Sequence, residues 1–135
     1  MKTLVSAVCV MVFLFTTAFA SDINLSADQT KAAIQGFEWS LKSSNAGVRH
    51  SALHVIAKFK SEYPSVDLSE LNKTLIKMSR NESEPLIRVH ASLTYQYINS
   101  SKLVNLIKVT DPEDPMVFFN ELYKELTTEY LSYTD

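Results

Sequence analysis

Ala46-Gly47-Val48-Arg49-His50-Ser51-Ala52 and, about 39 residues later, Pro85-Leu86-Ile87-Arg88-Val89-His90-Ala91 are two copies of one pattern. Each has a β-branched residue, an arginine, two variable positions and an alanine. The match continues outward, with Ile56 falling on Tyr95 and Phe59 on Ile98. Upstream, Ile34, Phe37/Glu38 and Leu41 fall on Leu71, Thr74/Leu75 and Met78 once two residues are allowed for a differing loop. Self-similarity at this period is the mark of a stacked array of helix pairs. The small alanine permits close stacking between units, and the arginine is left to pair along the ridge.

The flanking residues supply the helix boundaries. Ser26-Ala27-Asp28-Gln29 has the form of a capping box and starts a first helix through Leu41. Ser43-Ser44-Asn45 breaks that helix and caps a second over 46–62, with Val48, Ala52, Val55, Ile56 and Phe59 on one stripe and Pro64 closing it. Asp67 or Ser69 can cap a third helix carrying Leu71, Leu75 and Met78. Pro85 opens a fourth, where its missing N–H costs nothing. Asn99-Ser100-Ser101 introduces a short fifth helix with Leu103, Leu106 and Ile107. An acidic, proline-bounded connector over 111–115 then leads to a sixth over 115–132, with Phe118, Phe119, Leu122, Leu126 and Tyr130 as its apolar face.

The expected fold is therefore all-α: a short right-handed α-solenoid of about three antiparallel helix pairs, with an irregular helical bundle as the alternative. Composition agrees, because two glycines in 135 residues cannot serve the turns of a sheet-rich fold.

Residues 1–20 read as a secretion signal. Lys2 is followed by an apolar run from Leu4 to Phe15, and Ala18-Phe19-Ala20 places small residues where a signal peptidase cuts. The run is shorter than the roughly 20 residues that span a bilayer, so no stable membrane anchor is expected. Cleavage after Ala20 leaves 21–135 as a single helical-repeat domain, secreted or periplasmic. The one cysteine, Cys9, would leave with the signal, and the domain would fold without disulfides. The net charge of −2 has no basic cluster within it, which argues against nucleic acid as a partner.

Pro85-Leu86-Ile87-Arg88 with Ala91 resembles the second helix of a HEAT repeat, and Ala46-Gly47-Val48-Arg49 with Ala52 is similar except for the proline. The family often carries aspartate six residues before the arginine, as part of a charge ladder. Ser43 and Glu82 stand there in this chain. In the last pair, Pro115-Met116-Val117 keeps the opening, but Phe118 and Glu121 replace arginine and alanine, as in a unit that caps the stack. The resemblance implies a non-enzymatic module that contacts another protein through its ridge or concave face.

Trp39, Arg49 and Arg88 are the candidate protein-binding residues. Trp39 is either a contact anchor on an outer face or part of the core. The arginines either grip a partner or pair between helices. A small-ligand or metal-binding protein is the rival reading. His50 and His54 share a helix face, and His90 in the next unit could complete a three-histidine metal site. The dull alternative places all three histidines in solvent. An aromatic space around Tyr95, Tyr97, Phe118 and Tyr123 is the corresponding ligand site. No cofactor is expected: there is no glycine-rich phosphate loop, no G-x-S-x-G elbow, and no carboxylate pair that stands out as acid and base. Four Asn-x-Ser/Thr sequons, at Asn24, Asn72, Asn81 and Asn99, coincide with the caps that helix ends want. Apolar faces at the ends of the stack predict self-association into a homo-oligomer.

Overall fold

The computed structural model describes residues 24–110 and 114–132. Among these the chain is all-helical: α1 (Ala27–Leu41), α2 (Ala46–Glu62), α3 (Asn72–Asn81), α4 (Pro85–Ile98), α5 (Ser101–Leu106) and α6 (Pro115–Ser132), with a 3-10 turn over Ser69–Leu71 leading into α3. The signal expected at 1–20 and most of the acidic connector lie outside the described residues. No helix among the described residues is long and apolar enough to cross a membrane.

Helix starts follow side-chain chemistry. Ser26 Oγ accepts the Gln29 N–H at 3.1 Å, and Gln29 Oε1 accepts the Ser26 N–H at 2.9 Å, so the capping box is closed in both directions. Asn45 Oδ1 accepts the N–H groups of Gly47 and Val48 at the head of α2. Ser100 Oγ does the same for Leu103 in α5. The third helix begins differently from its expectation. Asp67 Oδ1 accepts the Ser69 N–H at 2.8 Å and sets up the 3-10 turn, and α3 grows from that turn with no side-chain cap of its own. Lys60 ties off the end of α2, its Nζ donating to the carbonyls of Pro64 and Val66.

The helices pack as neighbours in chain order: α1 on α2, α3 on α4, and α2 on α4 between the two pairs. Leu41, Leu53, Ile56, Ala57, Leu71, Leu75, Ala91, Tyr97, Phe118, Phe119 and Leu122 form one continuous buried core. Tyr97 Oη donates to the Ile107 carbonyl at 2.7 Å, so the chain leaving α5 is held to the C-terminal end of α4. Val109 N–H donates to Ser61 Oγ at the end of α2.

The expected inner stripe of α2 requires correction. Val48 and Val55 are 43% and 48% exposed, and the buried positions are Ala52, Leu53, Ile56 and Ala57. The repeat explains the difference. Val48, Ser51 and Val55 stand where α4 carries Ile87, His90 and Thr94, the face that packs back onto α2. No described helix precedes α1 to cover the same face on α2, so a shallow groove of about 760 Å³ opens there, bordered by Ala33, Gly36, Phe37, Val48 and Val55. Tyr130 is likewise on the outside, 77% exposed, because α6 is in the core only through its first half.

Candidate functional site

The repeated arginines perform the same act twice. Arg49 Nη1 donates to the Ser43 carbonyl at 3.0 Å, and Arg88 Nη1 donates to the Glu82 carbonyl at 2.7 Å. Each guanidinium thus clasps the carbonyl six residues earlier and fixes the entry into its own helix. Their other donors differ. Arg49 Nε and Nη2 form a two-pronged bond to the Glu82 carboxylate, both at 2.8 Å, joining α2 to the head of α4. The bond holds the Glu82 carboxyl below its usual range and the Arg49 guanidinium above its own. Arg88 is half-buried and, among the described residues, has no carboxylate within ion-pair distance. Glu82, which the sequence marks only as a departure at the aspartate position, is therefore the carboxylate that links the two helix pairs.

The histidines are not in solvent. His90 is only 3% exposed, and His50 and His54 are half-buried. The first half of α6 crosses both pairs and covers them: Phe119 stacks on His90 with centroids 3.8 Å apart, and His54 lies edge-on to Phe118 at 5.9 Å and to Phe119 at 6.4 Å. His50 Nε2 and His90 Nδ1 are 2.7 Å apart. Burial, with the neighbouring His50 adding to it, pushes His90 down from 6.5 to about 4. Alternation with apolar residues failed as a sign of exposure here because the covering helix comes from far along the chain. Among the described residues no group of three His, Cys, Asp or Glu side chains is placed to hold a metal ion.

The expected aromatic ligand space is also filled. Tyr97 and Phe118 are fully buried and pack edge-to-face at 5.1 Å, while Tyr95 packs against the core from its edge. Only Tyr123 faces open space. Trp39 is 85% exposed on α1, which removes the core reading of that residue.

Open space lies on the far side of α4. A groove of about 840 Å³ runs between α4 and the second half of α6, with a mainly apolar lining. Val89, Leu93 and Arg88 form one wall, and Tyr123, Leu126 and Tyr130 the other. Val89, Tyr123, Tyr130 and Leu131 are all exposed. Glu129, which also lines the groove, pairs with Lys102 at 2.9 Å, so the cation of Arg88 is the charge left uncompensated in its lining. Sequence reasoning found Arg88 but missed Val89 and Tyr130. The available signal was the apolar character of a position, Val89, whose counterpart in the preceding repeat is His50.

The chain matches no protein-family model, no curated protein and no solved structure.

Proposed function

We propose that this chain is a secreted or periplasmic, non-enzymatic protein-binding module, built as a short HEAT-like solenoid whose docking surface is the groove between α4 and α6. The observation that carries the reading is the groove itself. Four exposed large apolar side chains, Val89, Tyr123, Tyr130 and Leu131, gather around one recess on a small protein, and such a patch marks an interaction site. The α-solenoid reading is supported by the two arginine clasps and by the packing of α4 on α2, which sets the second helix of one pair against the second helix of the other. The non-enzymatic reading is supported by how the candidate acid and base groups are used. Glu82 is bound by Arg49, Glu38 accepts from Thr74 Oγ1 at 2.7 Å, and His90 lies beneath Phe119.

The test is native mass spectrometry of the protein recovered gently from its own compartment, run beside a Val89→Glu variant. Wild-type chain should carry a second protein at fixed stoichiometry, and the variant, still fully helical by circular dichroism, should arrive without it. A wild-type chain bearing no protein, or a partner held equally by the variant, overturns the reading.

A further inference from the structure

We infer that the partner element seated in the α4/α6 groove is an amphipathic helix with a carboxylate at its head, and that this carboxylate pairs with Arg88 as Glu82 pairs with Arg49. The inference rests on the docking reading above and deepens it.

The argument is one of equivalence within the molecule. On α2, the positions His50, Leu53, His54 and Ala57 form the face that receives α4 and α6, and Leu53 and Ala57 are wholly buried there. The same positions one repeat later are Val89, Ser92, Leu93 and Gln96, and all four line the groove. α4 therefore presents the receiving face a second time, and α6 covers only part of it. The charges repeat as well. Arg49 stands beside its receiving face and is satisfied by Glu82, in the turn that leads into the helix occupying that face, three residues before Pro85. Arg88 holds the equivalent place, makes the equivalent backbone clasp through Nη1, and among the described residues has no acid to complete it. A half-buried guanidinium beside an apolar recess favours an anion delivered in a planar, two-pronged geometry, which a carboxylate provides. What seats best is thus what seats on α2: a helix with apolar residues on one stripe, a glutamate or aspartate just before its first turn, and length enough to follow α4 past Gln96.

The chain itself supplies the probe. A fluorescein-labelled peptide with the sequence of residues 82–98 contains the acid and the helix that fill the α2 seat. It is titrated against the full protein by fluorescence anisotropy, with the wild type, Arg88→Gln and Val89→Glu as receptors. A second peptide carries Glu82→Gln. The expected result is saturable binding to wild type, a tenfold or greater loss with Arg88→Gln, and loss of binding with Val89→Glu. The Glu82→Gln peptide should be weakened by a similar factor on wild type and by little more on Arg88→Gln, because the two changes remove the same bond.

Equal binding of the two peptides, or indifference to Arg88→Gln, overturns the carboxylate pairing. If Val89→Glu still abolishes binding in that case, the groove remains the docking surface and only the partner chemistry fails. Binding that ignores Val89→Glu overturns both readings. No binding of either peptide, together with Arg88-dependent binding of dodecanoate, overturns the helix in favour of a small anionic amphiphile. No binding of any probe overturns the inference, while the native-mass result decides the docking reading separately.

Discussion

His50 and His90 meet nitrogen to nitrogen at 2.7 Å across the α2/α4 contact, and one hydrogen lies between them. At least one ring of the pair must therefore stay neutral, and Phe119 stacks on His90, which is only 3% exposed.

The pair makes the fold acid-sensitive in a defined window. His90 falls from 6.5 to about 4 in the folded protein, chiefly through burial, so between these values the unfolded chain binds a proton that the folded chain refuses. Stability from this group is fully present above pH 6.5 and declines as pH falls toward 4, at up to about 1.4 kcal/mol per pH unit. Urea unfolding between pH 4 and 7 should show this slope. His90→Gln, which cannot titrate, should flatten it; an unchanged slope in the variant would remove His90 as its source.

Gly36 sits inside α1, and a Cβ built there meets nothing within 4 Å. Glycine in a helix interior has more conformational freedom to lose on folding than alanine. Gly36→Ala should stabilise the protein by about 0.5–1 kcal/mol. The check is the urea midpoint, which should rise with the denaturant slope unchanged; a fall would mean that this face of α1 is covered in solution.

Trp39 is almost wholly in solvent, so its emission should be that of a hydrated indole and should be quenched freely by iodide. Trp39→Ala should leave stability within about 0.5 kcal/mol of wild type, as exposed positions outside caps and pairs generally do. A blue-shifted, protected emission would show that this part of α1 is buried against another molecule.

Helix ends were legible because their signals are local. The Ser26/Gln29 box, the Asn45 cap and Pro85 act within one turn, and each helix begins where its cap indicates. The 3-10 entry to α3 was not, since Asp67 caps a turn rather than the helix and either Asp67 or Ser69 fits the pattern. The core was half legible. Periodicity selects an apolar stripe on α2, but which edge of it is buried depends on whether another pair packs there, so Val48 and Val55 looked internal and are not. The site was legible only in Arg88, whose place in the repeat is a sequence fact, and in Tyr123 of the aromatic set. The burial of His90 and the opening beside Val89 both follow from where α6 lies, and that is set by Phe118 and Phe119 meeting residues of α2 and α4 far away in sequence.

Arg49 and Arg88 make the same backbone clasp, yet their removal should differ in kind. Arg49→Ala takes away the clasp and, with it, the guanidinium that both pairs with the Glu82 carboxylate and covers it, leaving that carboxylate with no cation. Arg88→Ala loses one bond to a carbonyl. The melting temperature should therefore drop further for Arg49→Ala than for Arg88→Ala. The two should also respond differently to acid. With Arg49 present, the Glu82 carboxyl lies below its ordinary 4.5, and its contribution to stability is present above that value and lost as pH falls through the lowered folded value. The gap between wild type and Arg49→Ala should accordingly be widest near neutrality and narrow below about pH 4.5, where protonation relieves the orphaned carboxylate in the variant. The gap for Arg88→Ala should not narrow in that range, because its bond involves no acid. Thermal melts of the three proteins across pH 3.5–7 read this directly, and a parallel response of the two variants would mean that the Arg49–Glu82 bond does not join the helix pairs.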